Sequence, residues 1–349
     1  MRALVTGASG LIGVVLVHAL SQRGHDVRAL LRDATRGEML VGAAKYAVGD
    51  VLSGAGLDAA CKGCNIVFHT AALFAYGGNA QELHALAVGG TSNVLRAAAR
   101  AGVKRVVVTS SSVVFGHSDT AEPIEESALI DPTGEPPYVA AKIAQHKRTL
   151  ELGHSLGLDV RLACPTMTIG PTTSRLGPSN GLIVAYLADP FGCTYPGGCN
   201  LVAARDVADG HALIAERGEA GESYLLGGEN LTWQEIHTRI AALAGVAAPR
   251  LRLNRTLSYI AAAAEELRAA YVDEAPRSTR EQAGMVGRYY WYSHAKAAGL
   301  GYAPAPTQEA LVETLSWLAA SPHIKREVRA NMHLAHEVHR FRAAQQGVA

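Results

Sequence analysis

The sequence predicts an α/β protein built on a doubly wound parallel sheet, with a smaller C-terminal region attached. Three observations support that fold class. An apolar run near the start passes directly into a glycine-rich turn and an amphipathic stretch, Leu4-Val5-Thr6-Gly7-Ala8-Ser9-Gly10-Leu11-Ile12-Gly13. Short apolar runs then alternate with longer helical patterns through the first half of the chain, as expected of strands covered by helices on both faces. The 349 residues, 48% of them hydrophobic, suffice for one large α/β domain and an appended region.

The elements follow in order. After the first strand, Gly7, Gly10 and Gly13 allow a tight turn and close backbone approach. With the unpaired N–H groups and positive dipole end of the next helix, they form a cradle for a pyrophosphate. Their spacing of three differs from the G-x-G-x-x-G of other doubly wound sheets. A turn at Gly24 leads into a second strand, His25 to Leu31, and Asn65-Ile66-Val67-Phe68-His69 reads as the fourth. A helix is expected from Glu82 to Ala101. Val106-Val107-Val108-Thr109 is the next strand, ending in Ser110-Ser111-Ser112. We divide the chain into a dinucleotide-binding domain (1–170), a mainly substrate-binding region (171–320, returning to the sheet near 201–228) and a helical tail (321–349).

Composition narrows the possible partners. A formal net charge of +1 gives no reason to expect nucleic acid or an anionic membrane. Met1 enters the first strand directly, leaving no room for a secretory signal, and no apolar run reaches membrane-spanning length. Five cysteines point to thiols in a reducing cytoplasm. Cys61-Lys62-Gly63-Cys64 has metal or redox spacing without a second pair, and His333, His336 and His339 drift around a helix, so no metal is expected.

The chemistry centres on Tyr138 and Lys142. A spacing of four puts them on one helix face. A nearby ammonium stabilises phenolate over phenol and lowers the tyrosine pKa. Such a tyrosine protonates a carbonyl oxygen as hydride arrives, or deprotonates an alcohol as hydride leaves. A serine at the adjacent strand end holds the same oxygen. A surface Tyr–Lys pair is the bland alternative, and the glycine cradle and serine cluster weigh against it.

From Met1 to about Ala320 the chain resembles the extended short-chain dehydrogenases/reductases, which include nucleotide-sugar epimerases and dihydroflavonol-reductase-like enzymes. The resemblance rests on T-G-x-x-G-x-x-G at Thr6 to Gly13, Asp50-Val51 after the third strand, His69-Thr70-Ala71-Ala72 after the fourth, the serine cluster, and Tyr138 with Lys142. It implies a Rossmann-type fold. Counting back from Gly116 places the family's catalytic hydroxyl on Ser111, with Ser112 as runner-up. The resemblance implies that Thr6, Gly7, Gly10, Leu11, Ile12, Gly13, Arg32, Asp50, Val51, Thr70, Ala71, Ala72, Tyr138, Lys142, Pro165 and Thr166 surround the dinucleotide. Asp50 would approach its adenine and Lys142 its nicotinamide ribose. Family members often carry an asparagine ahead of the run Gly90-Thr91-Ser92-Asn93-Val94-Leu95, and Ala87 stands in its place. The helix at Glu82–Ala101 and the helix bearing Tyr138 pair two subunits in family members, so a homodimer is expected, with Ala97, Ala98, Ala140, Ala141 and Ala144 allowing close approach.

Leu30-Leu31-Arg32-Asp33 bears on the cofactor. A carboxylate at the end of the second strand suits a ribose 2′-hydroxyl, and an arginine suits a 2′-phosphate. Arg32, assisted by Arg36, favours NADP(H); Asp33, one position on, leaves NAD(H) open. The run Pro165-Thr166-Met167-Thr168-Ile169-Gly170-Pro171 resembles the dihydroflavonol-reductase-like branch, Cys164 replaces the asparagine of nucleotide-sugar epimerases, and no acidic pair follows Ser111. The first reading is therefore reduction of a carbonyl, or oxidation of an alcohol, on a small hydrophobic or polycyclic substrate. Sugar or nucleotide-sugar epimerisation with bound cofactor is second, because Gly221 to Asn230 resembles bacterial members called sugar epimerases. A non-catalytic dinucleotide sensor is third; such members generally lose the Tyr or Lys kept here. Phe74, Tyr76, Ser112, Met167, Tyr186 and Tyr195 are candidates for lining the substrate cleft. Ser321-Pro322 is expected to start a docked terminal helix, packed on this chain or on a second subunit.

Overall fold

The computed structural model describes residues 1–33, 35, 37, 40, 42–72, 79–171, 176–273, 276 and 278–346. The strands are β1 (Arg2–Thr6), β2 (Asp26–Leu31), β3 (Lys45–Val48), β4 (Ile66–His69), β5 (Arg105–Thr109), β6 (Asp159–Pro165) and β7 (Met167–Ile169). They continue as β8 (Cys193–Thr194), β9 (Gly198–Ala203), β10 (Ser223–Leu226), β11 (Glu229–Thr232), β12 (Leu251–Arg252) and β13 (Tyr289–Tyr290). Seven of them form one sheet in the order β10-β6-β5-β4-β1-β2-β3, parallel throughout. A smaller sheet joins β11, β9, β13 and β7, and β12 pairs with β8.

Strand alternation assigns the two faces of the large sheet. Ala3 and Val5 pack with Leu16, Val17 and Leu20 of α1 (Leu11–Gln22) and with the helix Ala204–Arg217. Leu4 points the other way, into a core with α2 (Leu57–Cys61) and Val94, Leu95, Ala97 and Ala98. The expected doubly wound architecture is present. A separate apolar core holds Ile183, Leu201, Ile236 and Leu315, and the chain's end closes over it through fully buried Val338.

Three local expectations change. The stretch Glu82–Ala101 is not one helix: α3 (Ala80–His84), a π-helical turn (Ala85–Gly90) and α4 (Thr91–Arg100) follow one another. The consecutive glycines Gly89 and Gly90 hold a regular α-turn weakly, and π-turns recur at functional sites. Ser321 starts no helix; it follows the helix Thr307–Ala320 and accepts from His323 N at 3.1 Å, and helices come later at Arg326–Ala330 and His336–Gln346. Ala97, Ala98 and Ala141 are buried within this subunit, where their small size serves internal packing. No helix among the described residues is long and apolar enough to cross a membrane.

Candidate active site

Strand order creates the crevice. From β1 the chain steps to β2 and β3 on one side, and β4 lies on the other side of β1. In open α/β sheets, ligands bind outside the carboxyl ends of strands at such a switch. Gly7 sits there with φ 68°, and a Cβ on it would lie 2.6 Å from Ala71 N. A Cβ on Gly13 would fall 2.1 Å from Gly7 O. Gly10 is the N-cap of α1, with no side-chain cap and no acidic residue in the first turn. The first N–H groups of the helix, those of Leu11 and Ile12 included, thus lack side-chain competitors and suit an anion. The cradle fits a pyrophosphate.

Around it, Thr70 N and Oγ1 both donate to Thr6 O, at 3.2 and 2.8 Å. Asp50 Oδ1 accepts from Leu52 N at 2.9 Å, and Val51 packs beneath it in the core. Ala71 is half-buried and Ala72 exposed.

Tyr138 and Lys142 lie in the first turns of α5 (Pro137–Leu156), which opens with a proline suited to that position. Tyr138 is hydrogen-bonded to the Ser111 side chain at the end of β5, and all three side chains are at least nine-tenths buried. Lys142 Nζ donates to Thr109 O at 3.0 Å and to Gln145 Oε1 at 2.8 Å. Burial pushes the Tyr138 phenol up to about 12, against a smaller lowering by Ser111. Burial likewise lowers Lys142 to about 8.

Ser112 has a different partner. It is hydrogen-bonded to Tyr292, whose hydroxyl also donates to Gly116 O at 2.7 Å. Ser112 is thus engaged by Tyr292, and Ser111 is the hydroxyl bonded to Tyr138.

The family model described as NAD dependent epimerase/dehydratase family matches residues 3–227, a span that contains the glycine turn, Ser111, Tyr138 and Lys142. The chain belongs to that family. It is an NAD(P)-dependent oxidoreductase of the extended short-chain dehydrogenase/reductase type. A putative dihydroflavonol 4-reductase of Synechocystis is 29% identical over 334 residues, covering 92% of this chain and 95% of the relative. Sterol demethylase protein B of Methylococcus capsulatus is 31% identical over 324 residues, covering 91% and 98%. The crystal structure of gox2253 superimposes with a TM-score of 0.80 at 31% identity, covering 93% of this chain and 99% of that one.

Within this epimerase/dehydratase-family fold, the remaining sequence candidates fall in different places. Pro165 ends β6, and Thr166 Oγ1 donates to Asn200 Oδ1 at 2.7 Å. Met167 is half-buried against Cys199, with sulfur atoms 3.4 Å apart. Tyr186 packs in the second core, stacks on His237 at 4.4 Å and donates to Ala247 O at 3.1 Å. Tyr195 meets the same histidine edge-on at 6.1 Å. Arg32 is exposed just beyond β2, and the neighbouring Asp33 accepts from Thr35 N at 3.0 Å. Phe74, Tyr76 and Arg36 lie outside the described residues. Cys61 and Cys64 are buried, which raises both thiols, Cys61 to about 12, and keeps them from acting as thiolates.

Sequence reasoning missed Asn200, Tyr292 and Gln145. Asn200 is 1% exposed; it accepts from Thr166 and from Gly228 N, both at 2.7 Å, and donates to Asn230 Oδ1 at 2.6 Å. A lone asparagine inside the apolar run Cys199-Asn200-Leu201-Val202 was the readable signal. Tyr292, 176 residues from Gly116, offered none.

Proposed function

We propose that this protein is an NADP(H)-dependent reductase of a small hydrophobic or polycyclic carbonyl compound, or oxidises the corresponding alcohol. The observation carrying this reading is the buried Ser111–Tyr138 hydrogen bond beside Lys142. A nicotinamide dinucleotide supplies hydride when bound. Thr6 to Gly13, Asp50, Val51, Thr70 to Ala72, Tyr138, Lys142, Pro165 and Thr166 would hold it.

Tyr138, with its phenol at about 12, is protonated across physiological pH and gives its proton to the carbonyl oxygen as negative charge develops there. Ser111 donates a hydrogen bond to the same oxygen. The Lys142 ammonium, present below about pH 8, stabilises the phenolate left behind. In the alcohol-oxidising direction phenolate is the required form, so that rate rises with pH.

Fully buried Cys164 offers a sugar no polar contact, and two relatives are named for a dihydroflavonol and a sterol, which supports a polycyclic substrate. Arg32 beyond β2, beside an Asp33 already bonded to its own turn, supports NADP(H). Five free cysteines accord with a reducing cytoplasm. The half-buried Ala140 and Ala144 of α5 are offered as part of a homodimer contact, which a monomeric mass by light scattering would contradict.

Epimerisation is the second reading, on the family's name. Product analysis against a panel of polycyclic ketones and nucleotide sugars separates them. One NADP+ released per alcohol formed supports the reductase; a sugar isomer without net cofactor turnover supports the epimerase. Neither, with dinucleotide bound, leaves a sensor.

A further inference from the structure

Of the two acceptors holding Lys142, the Thr109 carbonyl is fixed by the sheet. The other is a side chain. Gln145 lies three residues beyond Lys142, on the same face of α5, and is 1% exposed. Its amide is braced from behind. Gln145 Nε2 donates to Thr91 Oγ1 at 2.8 Å, and Thr91 Oγ1 lies 3.0 Å from His69 Nε2. The charge on Lys142 fixes the amide with its oxygen forward and its NH2 toward Thr91.

Thr91 Oγ1 accepts from Gln145 and is also hydrogen-bonded to His69 Nε2. The other ring nitrogen, His69 Nδ1, is hydrogen-bonded to Thr6 Oγ1 at 2.7 Å. Thr6, His69, Thr91, Lys142 and Gln145 are all buried. The chain of bonds therefore runs without water from the ammonium to the first residue of the glycine turn.

We propose that Gln145, braced through Thr91 and His69, is the residue that positions the Lys142 ammonium in this protein and couples it to the cofactor cradle. A small cavity beside the ammonium is walled by Ala72, Leu83, Ala87 and Ala141, and its polar side chains are Tyr138, Lys142 and Gln145. Ala87 brings no polar atom to it, so without Gln145 the ammonium would lose its side-chain acceptor. The titratable groups facing Lys142 are Tyr138 and His146 on its own helix, His69 from β4 and Cys164 from β6. Both acceptors of Lys142 are neutral, and a carboxylate in place of the amide would change its protonation at once.

This inference rests on reading Lys142 as the group that seats the cofactor ribose and tunes Tyr138. The test is NADPH affinity, measured by fluorescence titration between pH 6 and 10, for the wild type, Gln145→Leu, Gln145→Glu and Lys142→Met. In the wild type, affinity should fall as Lys142 deprotonates near pH 8. Gln145→Leu should move that midpoint down and weaken binding at neutral pH roughly tenfold, as for a lost hydrogen bond to a charged group. Gln145→Glu should move it up, because an adjacent carboxylate favours the ammonium. A merely structural glutamine would not shift the midpoint in opposite directions. Should Gln145→Leu fail to fold, the near-isosteric Gln145→Glu decides alone: an upward shift supports the proposal and an unmoved midpoint overturns it. Unmoved midpoints with weakened binding in Lys142→Met would overturn the role of Gln145 and leave that of Lys142 standing. Unweakened binding in Lys142→Met would overturn the underlying reading, and this inference with it.

Discussion

The two halves of the molecule use buried polar groups differently. In the half built on the seven-stranded sheet they stand at strand ends and against α5: His69 between Thr6 and Thr91, His146 between Ser110 and Ser223, His211 against Thr109. In the other half, Asn200 of β9 gathers the residue after β6 and the loops after β10 and β13, and His237 is sandwiched among aromatic rings. The first arrangement aims side chains at a crevice that the sheet topology has already placed. The second holds together segments distant in sequence. Chemistry should therefore fail with single atoms in the first half, and assembly should fail in the second.

The sharpest way to break this contrast is Tyr138→Phe, which removes one hydroxyl. General acid–base catalysis contributes about a hundred- to ten-thousand-fold, and turnover should fall by that order with NADPH affinity nearly unchanged. Ser111→Ala should cost more than Ser112→Ala, whose hydroxyl serves Tyr292. Retained turnover in Tyr138→Phe, with chemistry shown to be rate-limiting, would refute the assignment.

Acid should weaken both halves through their buried histidines. Burial lowers His69 to about 3 and His146, His211 and His237 to about 4, whereas unfolded histidines titrate near 6.5. Between those values the unfolded chain holds more protons, so stability is full above about pH 6.5 and is lost as pH falls toward 4. The slope is at most about 1.4 kcal/mol per pH unit for each histidine. Melting temperatures at pH 7.5, 6 and 5 should fall steadily. A flat melting profile would show these sites to be protonated in the folded state.

Asn200→Leu probes the other half. It removes the partners of Thr166, Gly228 N and Asn230 at once, leaving buried polar groups unpaired at roughly 1–3 kcal/mol each. We expect a net loss of roughly 2–4 kcal/mol by chemical denaturation, and a larger rise in substrate KM than in NADPH Kd. Equal effects on both ligands would mean that the halves are not separable in this way.

The same contrast explains what was legible. Glycines at 7, 10 and 13 answer backbone demands within one turn, and Tyr138 and Lys142 share a helix face, so local spacing reveals both. Ser111 was readable from its place before Gly116, but the engagement of Ser112 came from Tyr292, which folding alone brings there. Tyr186 looked like any cleft aromatic, and only the packing of Ile183, His237 and Ala247 around it reveals a core residue. The π-turn at Ala85–Gly90 lies inside a run whose periodicity reads as ordinary helix. Gln145 escaped notice because its partners, Thr91 and Lys142, acquire meaning only once α4 and α5 pack side by side.

The smallest expected effect concerns the rim of the cradle, where side chains meet solvent. Arg32 is exposed beyond β2, and a guanidinium there would pair with a 2′-phosphate through charge-assisted bonds. Such bonds are about twice as strong as neutral ones, but solvent screening at an exposed site reduces them. Arg32→Ala should therefore lower kcat/KM for NADPH about tenfold, worth about 1.4 kcal/mol, and leave that for NADH within about twofold. Asp33, whose carboxylate already accepts from Thr35 N, should yield the converse only weakly when changed to Ala. The effect should shrink as ionic strength rises, because an exposed charge pair is screened within a Debye length of about 10 Å at 0.1 M salt. Parallel loss of both cofactors would instead make Arg32 a support for the loop after β2, and a wild-type preference for NADH would overturn the NADP(H) assignment outright.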